Sequence, residues 1–223
     1  MTDIKQIGTY PIAYGRAGVR VFLSLYQRIV ERNGKKQPYF FVGRGDVVTS
    51  YPNKKPDAVV CVCFIEGEGE RKLLCQSEYR IPISTREMGF PAGLIDEKDW
   101  DDADGDFIKA AQAAGIREVL EETDGWYDFT PFETSPNNLW SSPGMTDESI
   151  VYVFGTAKKR EVQAKLGYEP MEDIEVCPMT YAELSAAMDT PEAERPYTFG
   201  KTSWPFMWAI KRIGNMDWCV PNG

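Results

Sequence analysis

The tightest constraint on how this chain can fold is the run Arg117-Glu118-Val119-Leu120-Glu121-Glu122. It crowds three carboxylates and a guanidinium into six residues, with two aliphatic side chains between them. At about 100° per residue, a helix puts Glu118, Glu121 and Glu122 on one face and turns Val119 and Leu120 away toward a core. Like charges at this spacing cost about 0.2–0.5 kcal/mol per pair even when exposed. Burial would push their pKa values up unless a cation sat among them. Two readings stand at this point, a divalent-metal site and a solvated helix face.

The rest of the composition narrows the chemistry. A chain of 223 residues, 43% hydrophobic and 26% charged, can bury a sizeable core as one large domain or one domain with a small appendage. No apolar run approaches the roughly 20 residues that span a bilayer, so no membrane partner is expected. The first residues, Met1-Thr2-Asp3-Ile4-Lys5-Gln6, lack the basic-then-apolar order of a secretory signal. Cys61, Cys63, Cys75, Cys177 and Cys219 contain no CxxC pair. Cys61 and Cys63 flank Val62 in a strand-like run and read as small core residues, which points to a reducing cytoplasm. Histidine is absent. Within this chain that excludes Ser-His-Asp and Cys-His nucleophile systems and histidine zinc sites, leaving Asp, Glu, Lys, Tyr, Cys or metal-bound water for proton transfer. The net charge of −9 argues against nucleic acid as the main partner. A small phosphorylated substrate is compatible with it, because arginine and Mg²⁺ can reverse the sign inside a cleft.

Residues 1–18 read as loop and edge. Val19–Val30 and Tyr39–Arg44 read as strands of a hairpin turned at Asn33-Gly34, too small to be stable alone. Ala58–Ile65 has the composition of a buried central strand, and Arg71–Arg80 returns beside it. An acidic loop is expected over Glu97–Asp106 and a helix over Phe107–Glu122. Strands at Ser149–Phe154 and Ile174–Cys177 and helices at Tyr181–Met188 and Thr202–Ile213 complete the chain. Trp204 and Trp208, at i and i+4, are expected to form a packing stripe. The fold class is α+β, a mixed sheet between helices. An N-terminal β subdomain (residues 1–52) would precede the main domain (53–223).

Taken together, these pieces resemble the Nudix hydrolase family. Arg117–Glu122 matches its Arg-Glu-aliphatic-x-Glu-Glu helix. Phe90-Pro91-Ala92-Gly93-Leu94-Ile95-Asp96 is similar to the segment that opens the signature in the ADP-ribose and ADP-sugar pyrophosphatase branch. In order along the chain, Tyr79–Pro82, the loop Ser142–Glu148 and Glu172–Val176 also resemble that branch. There are two departures. Arg117 follows Gly93 by 24 positions where the family has 14, an insertion of ten, and Asp99 stands in place of the loop glutamate. Asp124 occupies the usual glycine position after the paired glutamates, with Gly125 one step later.

The resemblance implies a Nudix fold and Mg²⁺-dependent hydrolysis of a nucleoside diphosphate sugar, ADP-ribose first, to AMP and ribose 5-phosphate, with Mn²⁺ as a substitute metal. It implies Glu118 and Glu122 as the main metal ligands, Glu121 sharing or bridging through water, and the main-chain carbonyl of Ala92 as a further ligand. Arg117 would hold the glutamates rather than touch substrate. Glu172 would be the general base, with Glu169 or one of the helix glutamates as competitors. Arg80 and Arg44 would contact phosphate or the terminal ribose, Tyr39 would stack on adenine, and Pro143-Gly144 would form a turn over the substrate. A homodimer through the N-terminal hairpin is implied as well. The alternatives are another diphosphate (NADH, a GDP-sugar or a dinucleoside polyphosphate), or a module that binds a nucleotide sugar without hydrolysing it. The inserted aspartates at 99, 101, 102, 104 and 106 look like a calcium loop, but Ala110 occupies the twelfth place, so a solvated loop is expected.

Overall fold

The computed structural model describes residues 4–13, 23–44, 54–67, 69–166 and 173–216. The chain forms two compact units, one comprising Met1–Asp57 with Asn138–Ile150, the other Ala58–Asn137 with Val151–Gly223.

In the first unit, β1 (Ile4–Ala13), β2 (Ser24–Arg32) and β3 (Lys35–Gly43) make an antiparallel sheet in that order. The β2–β3 turn is Asn33-Gly34, both residues left-handed at φ 53° and 73°, as a tight hairpin requires. The segment expected as loop and edge thus contains a full strand. A lone hairpin leaves one ladder of donors unpaired, and β1 supplies the partner from Ile4↔Arg32 to Ala13↔Leu25.

In the second unit, β4 (Ala58–Ile65), β5 (Lys72–Arg80), β6 (Thr85–Gly89) and β7 (Ala92–Leu94) lead into α1 (Glu97–Asp102) and α2 (Phe107–Glu122). Then come β8 (Tyr127–Thr134), β9 (Leu139–Trp140, in the first unit), β10 (Ser149–Lys159), β11 (Ile174–Thr180), α3 (Tyr181–Asp189), β12 (Tyr197–Phe199) and α4 (Trp204–Ile213). The sheet runs β12-β6-β5-β4-β10-β8, with β11 on β5 and β7 on β4. It is mixed, since β12 is parallel to β6 and β5–β6 is antiparallel.

β4 is buried on both faces, which is why it reads as an unbroken apolar run. Val59, Cys61 and Cys63 join Ala110, Ala111, Ala114 and Val119 of α2 in one core. On the other face Phe64, Phe90 and Phe154 all pack around Phe206 of α4. α2 comes close to the sheet because its inner face is small: a Cβ on Gly115 would meet Cys61 Sγ at 3.0 Å. The helix starts at Asp106, whose carboxylate accepts the N–H groups of Ile108 and Lys109 at 3.0 and 3.2 Å.

Two expectations are corrected here. The acidic insertion is no solvated loop: Glu97–Asp102 is helical, Trp100 packs against the core and Asp99 is only 8% exposed. Asp104 and Gly105, left-handed at φ 51° and 76°, reverse the chain into α2. Trp204 and Trp208 are no core stripe either. They stack on each other while 36% and 45% exposed, and Met207 and Ile210 are the buried residues of α4. Trp204 also lies against Phe199 of β12, ring centroids 5.1 Å apart, so the indoles cap the edge of the sheet while still meeting solvent.

Candidate active site

Arg117 is the hub of the acidic helix face. Its Nη1 donates to Glu118 Oε1 at 2.6 Å and to Glu121 Oε2 at 3.4 Å. Its Nη2 donates to the Leu94 carbonyl at 2.8 Å and to Asp99 Oδ2 at 3.0 Å. The guanidinium therefore ties the last turn of α2 to β7 on one side and to α1 on the other. Burial by itself would lower its pKa; Glu118 and Asp99 outweigh that and raise it. The cation is permanent, and it screens the carboxylates from one another.

Glu118 is seated by what β7 lacks. A Cβ on Gly93 would lie 2.1–2.3 Å from the three atoms of the Glu118 carboxylate, so the side chain occupies the space that any other residue there would take. Glu122 is held differently: the Ala92 N–H donates to its Oε2 at 2.8 Å. Arg117 thus positions Glu118 and Glu121, while the β7 backbone positions Glu122.

The structure accounts for both departures from the signature. Asp99 Oδ2 accepts the Asp96 N–H at 2.9 Å as well as the Arg117 bond, so the inserted segment, helical over Glu97–Asp102, returns a carboxylate to the guanidinium. At the other end of α2, Asp124 and Gly125 are both left-handed (φ 50° and 76°), and the Gly125 N–H reaches the Leu120 carbonyl at 2.7 Å. Asp tolerates the first left-handed position. Gly125 is compulsory at the second, where a Cβ would meet the Ala164 carbonyl oxygen at 2.5 Å.

Arg80, at the end of β5, donates from Nε to Glu87 Oε2 and from Nη1 to Glu78 Oε1, both at 2.7 Å. Burial works to lower its pKa; Glu87 and Glu78 outweigh this and raise it, with a further contribution from Glu122. Neither acid of this clamp was among the sequence expectations, although Glu78 shares Arg80's face at i and i−2.

In the first unit, the end of β3 zips onto the loop 142–148 through Val42 N–H to Met145 O (2.8 Å) and Asp147 N–H to Val42 O (3.2 Å). Tyr39 is exposed, and its hydroxyl donates to the Gly144 carbonyl at 2.8 Å; Pro143 and Gly144 form the exposed turn above. Arg44 Nε donates to Glu148 Oε1 at 2.8 Å. Burial pushes the Glu148 carboxyl up, but Ser141 and Arg44 outweigh it and hold it below the ordinary value. Glu172 and Glu169 lie outside the described residues.

The donor set of the second unit suits a hard cation. Glu118, Glu121 and Glu122 offer carboxylate oxygens on one helix face beside the β7 backbone. Among the described residues, no three acidic or cysteine side chains converge into a ready-made cage. Mg²⁺ needs none, since it is commonly held by one or two carboxylates plus substrate phosphates and water. Among the described residues no helix is long and apolar enough to cross a membrane.

No protein-family model matches the chain. A protein of Schizosaccharomyces pombe, named as an uncharacterised Nudix hydrolase, is 31% identical over 94 residues, which is 42% of this chain and 40% of that protein. The match thus spans well under half the length of that relative. A Caenorhabditis elegans protein also named as a Nudix hydrolase is 28% identical over 178 residues, 73% of this chain and 74% of its own. Among solved structures, an ADP compounds hydrolase superposes with a TM-score of 0.58 at 14% identity, covering 94% of this chain and 93% of that one, a likeness of fold. Sequence relatives, fold and the Arg117–Glu122 helix agree: the chain is similar to Nudix hydrolases in sequence and shares the fold of a solved ADP compounds hydrolase.

Proposed function

We propose that this chain is a Mg²⁺-dependent diphosphatase acting on a nucleoside diphosphate sugar, with ADP-ribose as first substrate and AMP and ribose 5-phosphate as products. The observation that carries the reading is the carboxylate face of α2, seated against Gly93 and Ala92 and pinned by Arg117. Glu118 and Glu122 would hold the ion, with Glu121 sharing it or bridging through water and the Ala92 carbonyl as a further ligand. When bound, the ion neutralises phosphate charge and acidifies the attacking water, and Mn²⁺ can serve in its place. Arg117 keeps Glu118 and Glu121 oriented without touching substrate. Arg80 and Arg44 would meet phosphate or ribose oxygens, each first releasing an acid it now holds. Tyr39 would stack on the base, beside the Pro143-Gly144 turn. Glu172 is the proposed general base. The likeness to an ADP compounds hydrolase supports the ADP-ribose and ADP-sugar pyrophosphatase branch, since that protein's name fits this substrate class.

A homodimer through the first unit is part of the proposal. Leu23, Leu25, Tyr39 and Phe40 are exposed on or beside its sheet, more apolar surface than a small β-sheet ordinarily shows to water.

The test is direct. Wild-type protein incubated with ADP-ribose and Mg²⁺ should release AMP, and Glu122→Gln should lose about a hundredfold or more in kcat, as misplacing or losing a group at the reacting centre does. Hydrolysis by the variant within a few-fold of wild type at saturating Mg²⁺ would remove the metal assignment. Binding of ADP-ribose without AMP release would turn the reading into one of a sensor.

A further inference from the structure

Gln76, Glu78 and Arg80 alternate along β5 and so share one face of the sheet. With Glu87, Gly89 and Ala92 they line a small cleft of about 30 Å³. Gly89 is the cross-strand partner of Gln76 and has no side chain to cover it. Gln76 is only 4% exposed, yet its Oε1 has no hydrogen-bond partner. Buried amide oxygens are nearly always satisfied, and one left open beside a cleft calls for a donor from outside the chain.

The neighbours say what kind of donor. Glu78 and Glu87 are both acceptors, already held by the one cation of the group, Arg80. A phosphate oxygen carries no proton for Gln76 and would face two carboxylates. A hydroxyl can donate to the amide and still accept from the Arg80 guanidinium. The cleft also adjoins the carboxylate face, since Ala92 lines it and donates its N–H to Glu122. The group seated here is therefore attached directly to the phosphates.

We propose that Gln76 is a specificity-determining residue of the substrate site, its amide oxygen accepting a hydrogen bond from a hydroxyl of the sugar carried by the diphosphate. The proposal rests on the diphosphatase reading. It adds a residue that no motif pointed to, on a strand whose ligand role had been assigned to Arg80 alone.

The experiment compares wild type with Gln76→Met, which keeps the side chain's length and removes its amide. Substrates are ADP-ribose and the two analogues whose terminal ribose lacks the 2- or the 3-hydroxyl, with kcat and KM measured separately. Wild type should lose about tenfold in kcat/KM on one analogue, the size of a lost neutral hydrogen bond. Gln76→Met should lose about the same on ADP-ribose, mostly in KM, and should no longer discriminate against that analogue. Wild type treating all three substrates within twofold overturns the proposal whether or not the variant folds, and so does a folded Gln76→Met that keeps the discrimination; the cleft then holds only water. If wild type releases no AMP, the diphosphatase reading fails by itself. Calorimetric titration of ADP-ribose then decides on Gln76 separately: about tenfold tighter binding by wild type than by Gln76→Met upholds it, and equal or absent binding overturns it.

Discussion

Gly93→Ala should separate activity from stability. The new methyl carbon would lie 2.1 Å from Cδ of Glu118 and 2.2–2.3 Å from its oxygens, against the roughly 3.5 Å or more of an ordinary contact. The carboxylate must therefore retreat by more than about 1 Å. It can do so, because it is the free end of a flexible side chain, and Gly93 is not among the left-handed residues, so alanine adopts its backbone without strain. Glu118 would forfeit its 2.6 Å bond from Arg117, a charged hydrogen bond worth about 1.5–3 kcal/mol at a partly buried position. Arg117 keeps Asp99, Leu94 and Glu121, and replacing glycine within a strand returns about 0.5–1 kcal/mol. The net loss is about 1–2 kcal/mol, a melting temperature lower by about 2–8 °C for a chain of this size. A displacement of 1 Å at a ligand of the reacting centre costs about a hundredfold in rate. Thermal melts and AMP release across a Mg²⁺ series measure both. Activity within threefold of wild type would refute the assignment of Glu118, and a fall of more than about 15 °C would refute the claim that the side chain yields.

Asp99→Asn keeps the shape of the side chain but removes the charge that faces Arg117; AMP release should fall about tenfold with a loss of about 1–2 kcal/mol on denaturant melts. Unchanged kinetics would make the inserted helix a bystander. Gly125→Ala should do the opposite of Gly93→Ala: a Cβ at φ +76° and 2.5 Å from the Ala164 carbonyl oxygen strains rigid backbone, costing about 1–3 kcal/mol while leaving Mg²⁺ dependence intact. For Glu148 the folded pKa lies below the unfolded one, so its stabilisation is complete above the unfolded value near 4.3 and is lost as pH falls through the folded value. Glu148→Gln should accordingly melt below wild type at pH 7, with the gap closing as the solution is acidified beneath the ordinary glutamate range; a gap independent of pH would show that the Arg44 pair carries none of it.

How much could be read from the residues alone depends on how local the physics is. The α2 helix and its three-acid face followed from spacing within one element, and Phe107–Glu122 is where the helix lies. The buried run of β4 followed from its composition, because a strand covered on both faces has no reason to alternate. The bonds from Arg117 to Glu118 and Glu121 were also within reach of the sequence, since those partners are one and four residues away. Its other partners were not. Asp99 stood out only as the residue in place of the loop glutamate, with no partner in view, and six residues with weak helix preference do not announce a helix. What orders them is Trp100 packed against the core and a guanidinium 18 residues downstream.

The same division holds for the rest of the site. That Gly93 must be glycine, that Glu122 binds the Ala92 N–H, and that Glu87 joins Glu78 on Arg80 are all consequences of strand register and of how closely α2 approaches β7. The exposed indoles of α4 make the point from the other side, because periodicity places residues on a common stripe without saying which stripe meets the sheet. Sequence by itself determined the helix, its acidic face and the chemistry those acids can do, since these rest on covalent order and a 3.6-residue turn. Only the tertiary structure decided which groups hold the acids in place and left the Gln76 amide open beside them, since those depend on contacts between residues far apart in the chain.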